Sequence, residues 1–373
     1  MSVLLKQRWS LGHNYLAGIT HGAWWRLLAD NRFQVSPAYW HRAAFITLTS
    51  LVNSGCALAE RLCFGSSIAN ARLARPPLFI LGHWRSGTTL LHNLLAQDDE
   101  QFHFANTYQV VNPYTFLTTE RFMKRWFSGL VPGRRPMDNM QLSFETPQED
   151  EFAPLLMTLR SVYLGISFPQ HAEAYAKYLS FRDASPAEIQ AWQEAFGLFC
   201  RKVMLNDGRT LLLKSPAHTA RIRMLLQLYP DARFVHIHRD PYRVFQSQRH
   251  FFDTAGWYTY LQRPDPDTID ESILARHEAM YDAYFEDSPS LARDRFCEVR
   301  FTDLETDPVG EVRKIYQQLK LDDFAAFQPK LSAYTRSLKG YEKNRFSPLD
   351  DATRKRVAER WERSFSTWGY STA

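Results

Sequence analysis

The chain has 373 residues, of which 45% are hydrophobic and 14% aromatic, and its formal net charge is +5. This composition is typical of a globular protein, either one large α/β domain with an appendage or two modest domains. The positive excess is too small to indicate nucleic-acid binding on its own, and it suits an enzyme that handles a small polyanion.

The four cysteines form no CxxC pair and have no zinc-ligand spacing with histidines: Cys56, Cys63, Cys200 and Cys297. We therefore expect four reduced, mostly buried thiols, no metal site and a reducing compartment such as the cytoplasm. The N-terminus lacks the long apolar core and cleavage site of a signal peptide.

Residues 1–75 are predicted to form a helical, aromatic N-terminal extension, because Pro76 and Pro77 then interrupt the helical pattern. Its most apolar stretch, 43–59, has about 17 residues and contains several polar ones, too few and too polar for a membrane-spanning helix. A helix packed on the body, or lying on a membrane surface, fits this stretch better. The sequence thus leaves a membrane-associated location open.

Short apolar runs from residue 76 onward predict buried strands at Leu78–Leu81, Thr210–Lys214, Arg233–His238 and Phe296–Phe301. Helices are predicted between and beside them, at 88–95, 148–160, 186–205, 217–229, 241–252 and from Pro308 onward. Strands alternating with helices indicate an α/β domain, here 76–373, with a central parallel sheet covered by helices on both faces.

The segment Gly82–Thr89 follows a predicted strand and precedes a predicted helix. Such a loop directs backbone N–H groups and a helix N-terminus at a phosphate. Gly82, Gly87 and Thr89 fit the nucleotide-triphosphatase pattern GxxxxGK[ST], but Thr88 stands where the lysine belongs, which argues against ATP or GTP. Arg85 supplies a positive charge three residues earlier. An ordinary glycine-rich turn between strand and helix is the alternative.

The run Arg85-Ser-Gly-Thr-Thr-Leu-Leu91 resembles the 5′-phosphosulfate loop of sulfotransferases, in the PRSGTT form of the protein-tyrosine and bacterial branches. The resemblance implies a P-loop-type three-layer fold and 3′-phosphoadenosine 5′-phosphosulfate (PAPS) as co-substrate, without a metal. It also implies that Arg85, Ser86, Gly87, Thr88 and Thr89 bind the 5′-phosphosulfate.

Two further segments carry the resemblance. Arg239 follows a predicted strand and Ser247 lies eight residues later, the family's spacing for the arginine and serine that bind the 3′-phosphate. Lys214, in Leu213-Lys-Ser-Pro-Ala-His218, resembles the lysine segment of heparan-modifying sulfotransferases. At the carboxyl end of a strand its ammonium can neutralise charge on the transferring group. Each of the three residues has a structural alternative. Lys214 could be a surface lysine, Arg239 could pair with a nearby acid, and Ser247 could be a solvated helix serine.

Two weaker similarities lie towards the C-terminus. Val299-Arg-Phe-Thr-Asp-Leu304 resembles a late strand of the family, and 338–344 loosely resembles the lysine–glycine loop that closes on the 3′-phosphate.

Transfer to a hydroxyl requires a base, and the family's two usual positions hold none: Pro216 occupies one, and the region 102–108 contains no acid. The remaining candidates are Glu149, Glu151, His103 and His218. Thr146 and Glu149 also have the spacing of a helix capping box, so a structural role for this acidic cluster is equally consistent with the sequence.

The sequence therefore predicts direct sulfuryl transfer to an alcohol, with Arg85 and Lys214 stabilising the transition state. The aromatic and apolar segments favour a lipophilic acceptor, with a carbohydrate left open, and peripheral membrane contact through the N-terminal helices is an open possibility. The alternatives are a kinase or NTPase with an altered phosphate loop and a non-enzymatic nucleotide-binding protein.

Overall fold

Five parallel strands form one sheet in the computed structural model, which describes residues 5–127, 143–338, 344 and 346–372. The strands are β1 (Leu78–Leu81), β2 (Phe102–Phe104), β3 (Thr210–Lys214), β4 (Arg233–His238) and β5 (Phe296–Arg300). Their order across the sheet is β2-β3-β1-β4-β5. The four predicted strands are confirmed, except that β5 ends one residue early because Phe301 begins the next helix.

The chain packs as two compact units. The first contains Met1–Arg72, Ala105–Asn206 and His250–Thr268, and the second contains Leu73–Phe104, Asp207–Arg249 and Ile269–Ala373 with the whole sheet. The domain boundary at residue 76 stays a prediction, since these units describe packing and not independent folding.

Helices cover both faces of the sheet in the second unit. They are α3 (Thr88–Leu95), α10 (Ile222–Leu228), α12 (Ile269–Asp287), α13 (Phe301–Thr306), α14 (Pro308–Gln318), α15 (Phe324–Ser337), α16 (Asp351–Arg360) and α17 (Glu362–Trp368). Side chains alternate along each strand, so Ile80 and Ile237 pack with α3, α14 and α15, while Phe79 and His236 face the opposite side. The predicted three-layer P-loop-type α/β fold is confirmed.

The face opposite α3 is covered by stacked rings. His236 stacks on Tyr284 of α12 at 4.2 Å between ring centroids, and His238 stacks on Trp368 of α17 at 4.8 Å. His277 of α12 stacks on Trp361 at 3.7 Å. These contacts fix α12 and the C-terminal helices against β4.

Burial keeps three imidazoles of the second unit neutral. Burial, with the nearby Arg276 guanidinium, lowers the pKa of His83 to about 3. Burial, with the neighbouring His236, likewise lowers the pKa of His238 to about 3, and burial lowers the pKa of His277 well below its ordinary value. In all three cases removal from water penalises the charged form.

The first unit is helical. Its helices are α1 (His21–Asp30), α2 (Trp40–Asn70), α4 (Thr107–Val111), α5 (Phe116–Phe127), α6 (Phe152–Thr158), α7 (Leu164–Ser167), α8 (Ala172–Ala176) and α9 (Pro186–Val203). One further helix, α11 (Pro241–Thr254), begins in the second unit and ends in the first.

Helix α2 is longer than its apolar stretch predicts. It contains 31 residues, and the segment Pro37–Asn70 is long and apolar enough to cross a membrane by length and composition alone. The expectation of an element too short to span is therefore wrong. The helix continues through polar positions such as Asn53 because their side chains hydrogen-bond within the unit.

A buried ion pair holds α2 to α9. Glu60 and Lys202 are 2% and 4% exposed and form a short salt bridge. The Glu60 carboxylate also accepts hydrogen bonds from the backbone N–H groups of Leu117 (2.7 Å) and Thr118 (3.3 Å). The Lys202 ammonium also donates to the Pro113 carbonyl. Every polar group of the pair is thus satisfied away from water, as burial of two charges requires.

Two smaller expectations are corrected, and a third falls outside the described residues. The cysteines are free, as expected, but of the four only Cys200 is buried and Cys63 is exposed. The helix predicted at 217–229 begins as a 3-10 turn, Pro216–Ala220, before α10, since Pro216 lacks an N–H and opens a tighter turn. The loosely matched C-terminal loop lies largely outside the described residues, which leave out 339–343.

Replacement of either Glu60 or Lys202 should leave the other charge buried without a counter-ion. For Lys202→Met we expect the free energy of unfolding to fall by about 3–5 kcal/mol, because the Glu60 carboxylate stays buried without its cation. The measurement is urea denaturation followed by circular dichroism. The matched double variant Glu60→Gln/Lys202→Met should recover most of the loss, and equal losses in both proteins would contradict this account.

Stability should fall in acid before carboxylates titrate. Unfolded histidines have a pKa of about 6.5. Below that pH the unfolded chain therefore binds protons that His83, His238 and His277 do not bind in the folded protein. Their stabilisation is complete above about pH 6.5 and is lost as the pH falls below that value, at about 1.4 kcal/mol per pH unit for each histidine. Urea denaturation between pH 7.5 and 5 measures the slope. His277→Phe, which preserves the ring stack, should lower the slope of the unfolding free energy against pH by the contribution of one histidine, about 1.4 kcal/mol per pH unit. An unchanged slope would refute the assignment.

Candidate functional site

The phosphate loop, Gly82–Thr89, requires glycine at both ends. Gly82 has φ +142° and Gly87 has φ +108°, values that L side chains rarely adopt. A Cβ on Gly82 would lie 2.4 Å from the Ile237 carbonyl oxygen, and a Cβ on Gly87 would lie 2.3 Å from Cδ2 of Phe301. The two glycines therefore allow the loop to pack closely against β4 and the first residue of α13. The loop then leads directly into α3.

Hydrogen bonds fix the loop between these glycines. The Gly82 N–H donates to Thr219 Oγ1 at 2.7 Å. Both the backbone N–H and the hydroxyl of Ser86 donate to the His83 carbonyl, at 3.1 and 2.8 Å. With Gly87 as its N-cap, α3 begins at Thr88, so the N–H groups of its first turn are directed out of the helix N-terminus. An anion at this end would find the arrangement that phosphate loops use.

Arg85 links the loop to two of the other predicted site residues. It has a left-handed φ of +72°, a conformation that costs a non-glycine residue about 1 kcal/mol or more. Its Nε donates to Ser247 Oγ at 2.9 Å, and its carbonyl accepts from Nη1 of Arg239 at 3.3 Å. Arg85, Arg239 and Ser247, which lie far apart in the sequence, therefore come together at the end of β4 and the first turns of α11.

Arg239 is positioned by an aromatic ring. Its guanidinium carbon lies 4.1 Å from the ring centroid of Phe301, and the side chain is half-buried. Burial lowers the pKa of Arg239, Glu305 opposes this, and the nearby Arg85 and Arg243 lower it further. The positive charges of Arg85 and Arg239 repel one another, and an anion near both would offset that repulsion. The pair thus forms a cationic site suited to a phosphate.

Lys214 ends β3 next to the strand that leads into the loop. It pairs in register with Ile80 of β1 and is 1% exposed. His92, one turn into α3, is also 1% exposed, and burial together with the charge of Lys214 lowers the pKa of His92 well below its ordinary value. Within the described residues the two ring nitrogens of His92 have no hydrogen-bond partner. Nothing in the sequence marks His92 as a site residue, because its position on the predicted helix is typical of a core residue.

The four candidate bases have different surroundings. His218 is fully buried in the turn Pro216–Ala220, with its ring edge-on to Phe79 at 5.5 Å. Nδ1 of His103, on β2 at the sheet edge, accepts a hydrogen bond from Arg209 at 2.8 Å and lies 3.3 Å from a carboxylate oxygen of Asp207.

Glu149 and Glu151 belong to the first unit. The predicted capping box is wrong: α6 begins at Phe152, with Glu151 as an N-cap whose side chain makes no capping bond. Instead, the half-buried Glu149 carboxylate accepts from the Tyr163 hydroxyl at 2.6 Å, and the fully buried Glu151 carboxylate accepts from the Ser161 hydroxyl at 2.7 Å. Their roles in a reaction stay predictions.

In the part of the chain that the structure describes, there is no group of three or more His, Cys, Asp or Glu side chains suited to hold a metal ion.

Curated relatives align along nearly the whole chain. Omega-hydroxy-beta-dihydromenaquinone-9 sulfotransferase Stf3 of Mycobacterium bovis, and the protein of the same name from Mycobacterium tuberculosis, are each 38% identical over 354 residues. The alignment covers 95% of this chain and 90% of each relative.

Solved structures share the fold. The sulfotransferase STF9 from Mycobacterium avium superposes with a TM-score of 0.70 at 18% identity, covering 94% of this chain and 92% of that one. The sulfotransferase STF1 from Mycobacterium tuberculosis superposes with a TM-score of 0.65 at 17% identity, covering 94% and 93%.

The family comparison agrees with the curated relatives and with the solved structures. The model of the sulfotransferase family matches residues 76–325, about two thirds of the chain. Together with the relatives at 38% identity, this shows that the chain belongs to the sulfotransferase family and is a transferase, not the kinase or NTPase that its phosphate loop partly resembles.

Proposed function

We propose that this sulfotransferase moves a sulfuryl group from PAPS to the hydroxyl of a lipophilic alcohol. The observation that carries the donor assignment is the contact of Arg85 with Ser247 and Arg239. It joins a loop suited to a 5′-phosphosulfate to an arginine–serine pair suited to a second phosphate. A nucleotide with phosphates at both its 3′ and 5′ positions matches this arrangement better than a triphosphate chain does.

The acceptor assignment rests on the curated relatives. Their names specify an omega-hydroxylated dihydromenaquinone, a long apolar molecule with a terminal hydroxyl. The alignment covers 95% of this chain at 38% identity, so we propose an acceptor of the same chemical class, a hydroxyl at the end of a hydrophobic chain. We further propose a cytoplasmic enzyme whose N-terminal helices contact the membrane in which such an acceptor dissolves.

The chemistry proposed is a single displacement at sulfur. The acceptor oxygen forms a bond to sulfur as the bond between sulfur and the bridging phosphate oxygen breaks, and 3′,5′-adenosine bisphosphate leaves with that electron pair. Arg85 and Lys214 offset the negative charge on the sulfuryl and bridging oxygens, and the N–H groups of 86–89 hold the 5′-phosphate. The acceptor proton passes to a carboxylate, Glu149 or Glu151, with His103 and His218 as alternatives.

The domain assignment is part of this proposal. We assign the transfer chemistry to residues 76–373, and the family match, which starts at residue 76, supports that division. Residues 1–75 then form a helical extension that includes α1 and α2.

Binding of 3′,5′-adenosine bisphosphate tests the donor site. For Arg239→Ala we expect the Kd to rise about 10- to 100-fold, because one charge-assisted contact to phosphate contributes about 1.5–3 kcal/mol. Calorimetric titration measures the effect. The control is Arg243→Ala, which removes the same charge from an exposed position in the first turn of α11 and should change the Kd only a few-fold. Equal losses would show a general charge effect, and tighter binding of ATP than of the bisphosphate would contradict the donor assignment.

Lys214 should act on the transition state more than on binding. For Lys214→Met, which keeps the buried chain length, we expect kcat to fall about 100- to 1,000-fold while the Kd for the bisphosphate changes only a few-fold. The measurement is single-turnover transfer of labelled sulfate from PAPS. A loss confined to bisphosphate binding would assign Lys214 to the nucleotide site, and unchanged kinetics would remove it from the mechanism.

A further inference from the structure

The large apolar side chains that are exposed in the described part of the chain all belong to the first unit. Ten of the twelve lie within residues 5–72: Trp9, Leu11, Trp25, Phe33, Trp40, Leu48, Leu51, Val52, Leu58 and Leu62. The other two are Phe122 and Trp126 of α5. Apolar groups scattered over a surface are ordinary, but their restriction to one unit indicates a surface that meets a partner.

Six of these ten residues form a stripe along α2. From Trp40 to Leu62 the exposed positions recur every three or four residues, so they lie along one side of the helix for about 33 Å. We call this the outer stripe: Trp40, Ala44, Leu48, Leu51, Val52, Gly55, Leu58, Ala59 and Leu62. Leu48, Val52 and Leu62 are 67%, 66% and 78% exposed. A helix side that faces water is normally polar.

The opposite side of α2 is bound to the first unit along most of its length. Arg42 donates to the carbonyls of Trp257 (2.8 Å) and Tyr260 (2.9 Å), and Asn53 donates to that of Ala17 (2.7 Å). Further along, Glu60 forms its buried ion pair. Although α2 is long enough to span a bilayer, these polar contacts require protein along one side. The helix therefore suits a position in the plane of a membrane surface, with the outer stripe facing the lipid.

Charge supports a lipid partner. Residues 1–72 contain seven basic residues (Lys6, Arg8, Arg26, Arg32, Arg42, Arg61 and Arg72) and two acidic ones (Asp30 and Glu60). Their net charge of +5 equals that of the whole chain, and Glu60 is buried against Lys202. Trp40 is exposed at the start of α2, and Arg61 is exposed next to Leu62 of the stripe; Trp25 and Arg26 are exposed on α1. Tryptophans and arginines beside an apolar helix side are typical of interfacial helices.

We propose that the outer stripe of α2, with Arg61 beside it, docks on an anionic bilayer surface. This inference deepens the proposed function and rests on its lipophilic acceptor, since docking would bring the enzyme to a substrate dissolved in lipid. A second copy of the chain is the other candidate occupant. Two copies joined through this stripe would bring two segments of net charge +5 together, whereas anionic headgroups complement that charge.

The test is flotation of the full chain with phosphatidylcholine vesicles and with vesicles that also contain phosphatidylglycerol. Wild-type protein should float with the anionic vesicles, less so at high salt and little with the zwitterionic ones. Leu48→Glu/Leu58→Glu places two charges on exposed positions of the stripe and should lower partitioning about 100-fold or more. The control, Gln317→Glu/Ala325→Glu, adds the same charge at exposed helix positions of the second unit and should keep most of the binding.

Three outcomes would overturn the proposal: no flotation of the wild-type protein, equal flotation of the stripe variant and its control, or a concentration-dependent dimer that the stripe variant abolishes. Calorimetric binding of 3′,5′-adenosine bisphosphate to the same preparations separates the two hypotheses. A stripe variant that binds the bisphosphate normally is folded, so its loss of flotation reports on docking. Wild-type protein that floats without binding the bisphosphate would contradict the donor assignment and leave the docking surface standing.

Discussion

The hydrogen bond between Arg85 and Ser247 connects the first and the last of the residues proposed to bind the nucleotide. It depends on a loop conformation that only glycine permits at Gly82 and Gly87, because β4 and Phe301 fill the space a Cβ would need. It depends equally on the parallel pairing of β1 with β4, which brings the loop after β1 and the helix after β4 to the same edge of the sheet. The sheet, the two glycines and the arginine contacts thus form one cooperative arrangement.

Much of this arrangement could be predicted from the sequence, for physical reasons. Central strands such as β1 and β3 are buried on both faces, so their continuous apolar runs are unambiguous. Arg239 and Ser247 could be singled out through the family resemblance, because they follow a predicted strand at the family's eight-residue spacing. Other features depend on tertiary contacts. The three-residue β2 contains His103 and pairs only at the sheet edge, and the full length of α2 requires the partners of Asn53 and Glu60.

The supporting residues of the site were harder to predict than the residues proposed to bind the nucleotide. Thr219 fixes the start of the loop, and Phe301 packs against both Gly87 and Arg239, yet neither carries a charge or a motif that marks it. Phe301 lies inside the late segment that resembles the family, where the sequence placed it at the end of a strand. The capping box at Thr146 failed because Glu149 and Glu151 accept hydrogen bonds from Tyr163 and Ser161 instead. Local spacing predicts local contacts, and these contacts cross between segments.

Product analysis tests sulfuryl transfer from PAPS to a lipid alcohol most directly. The protein is incubated with PAPS labelled at sulfur and with a hydroxyl-terminated isoprenoid quinol in vesicles, and the lipid extract is counted. We expect label in the lipid in equal amount to the 3′,5′-adenosine bisphosphate released, and little of either with Arg85→Ala. Release of labelled inorganic sulfate without labelled lipid, or transfer unaffected by Arg85→Ala, would contradict it.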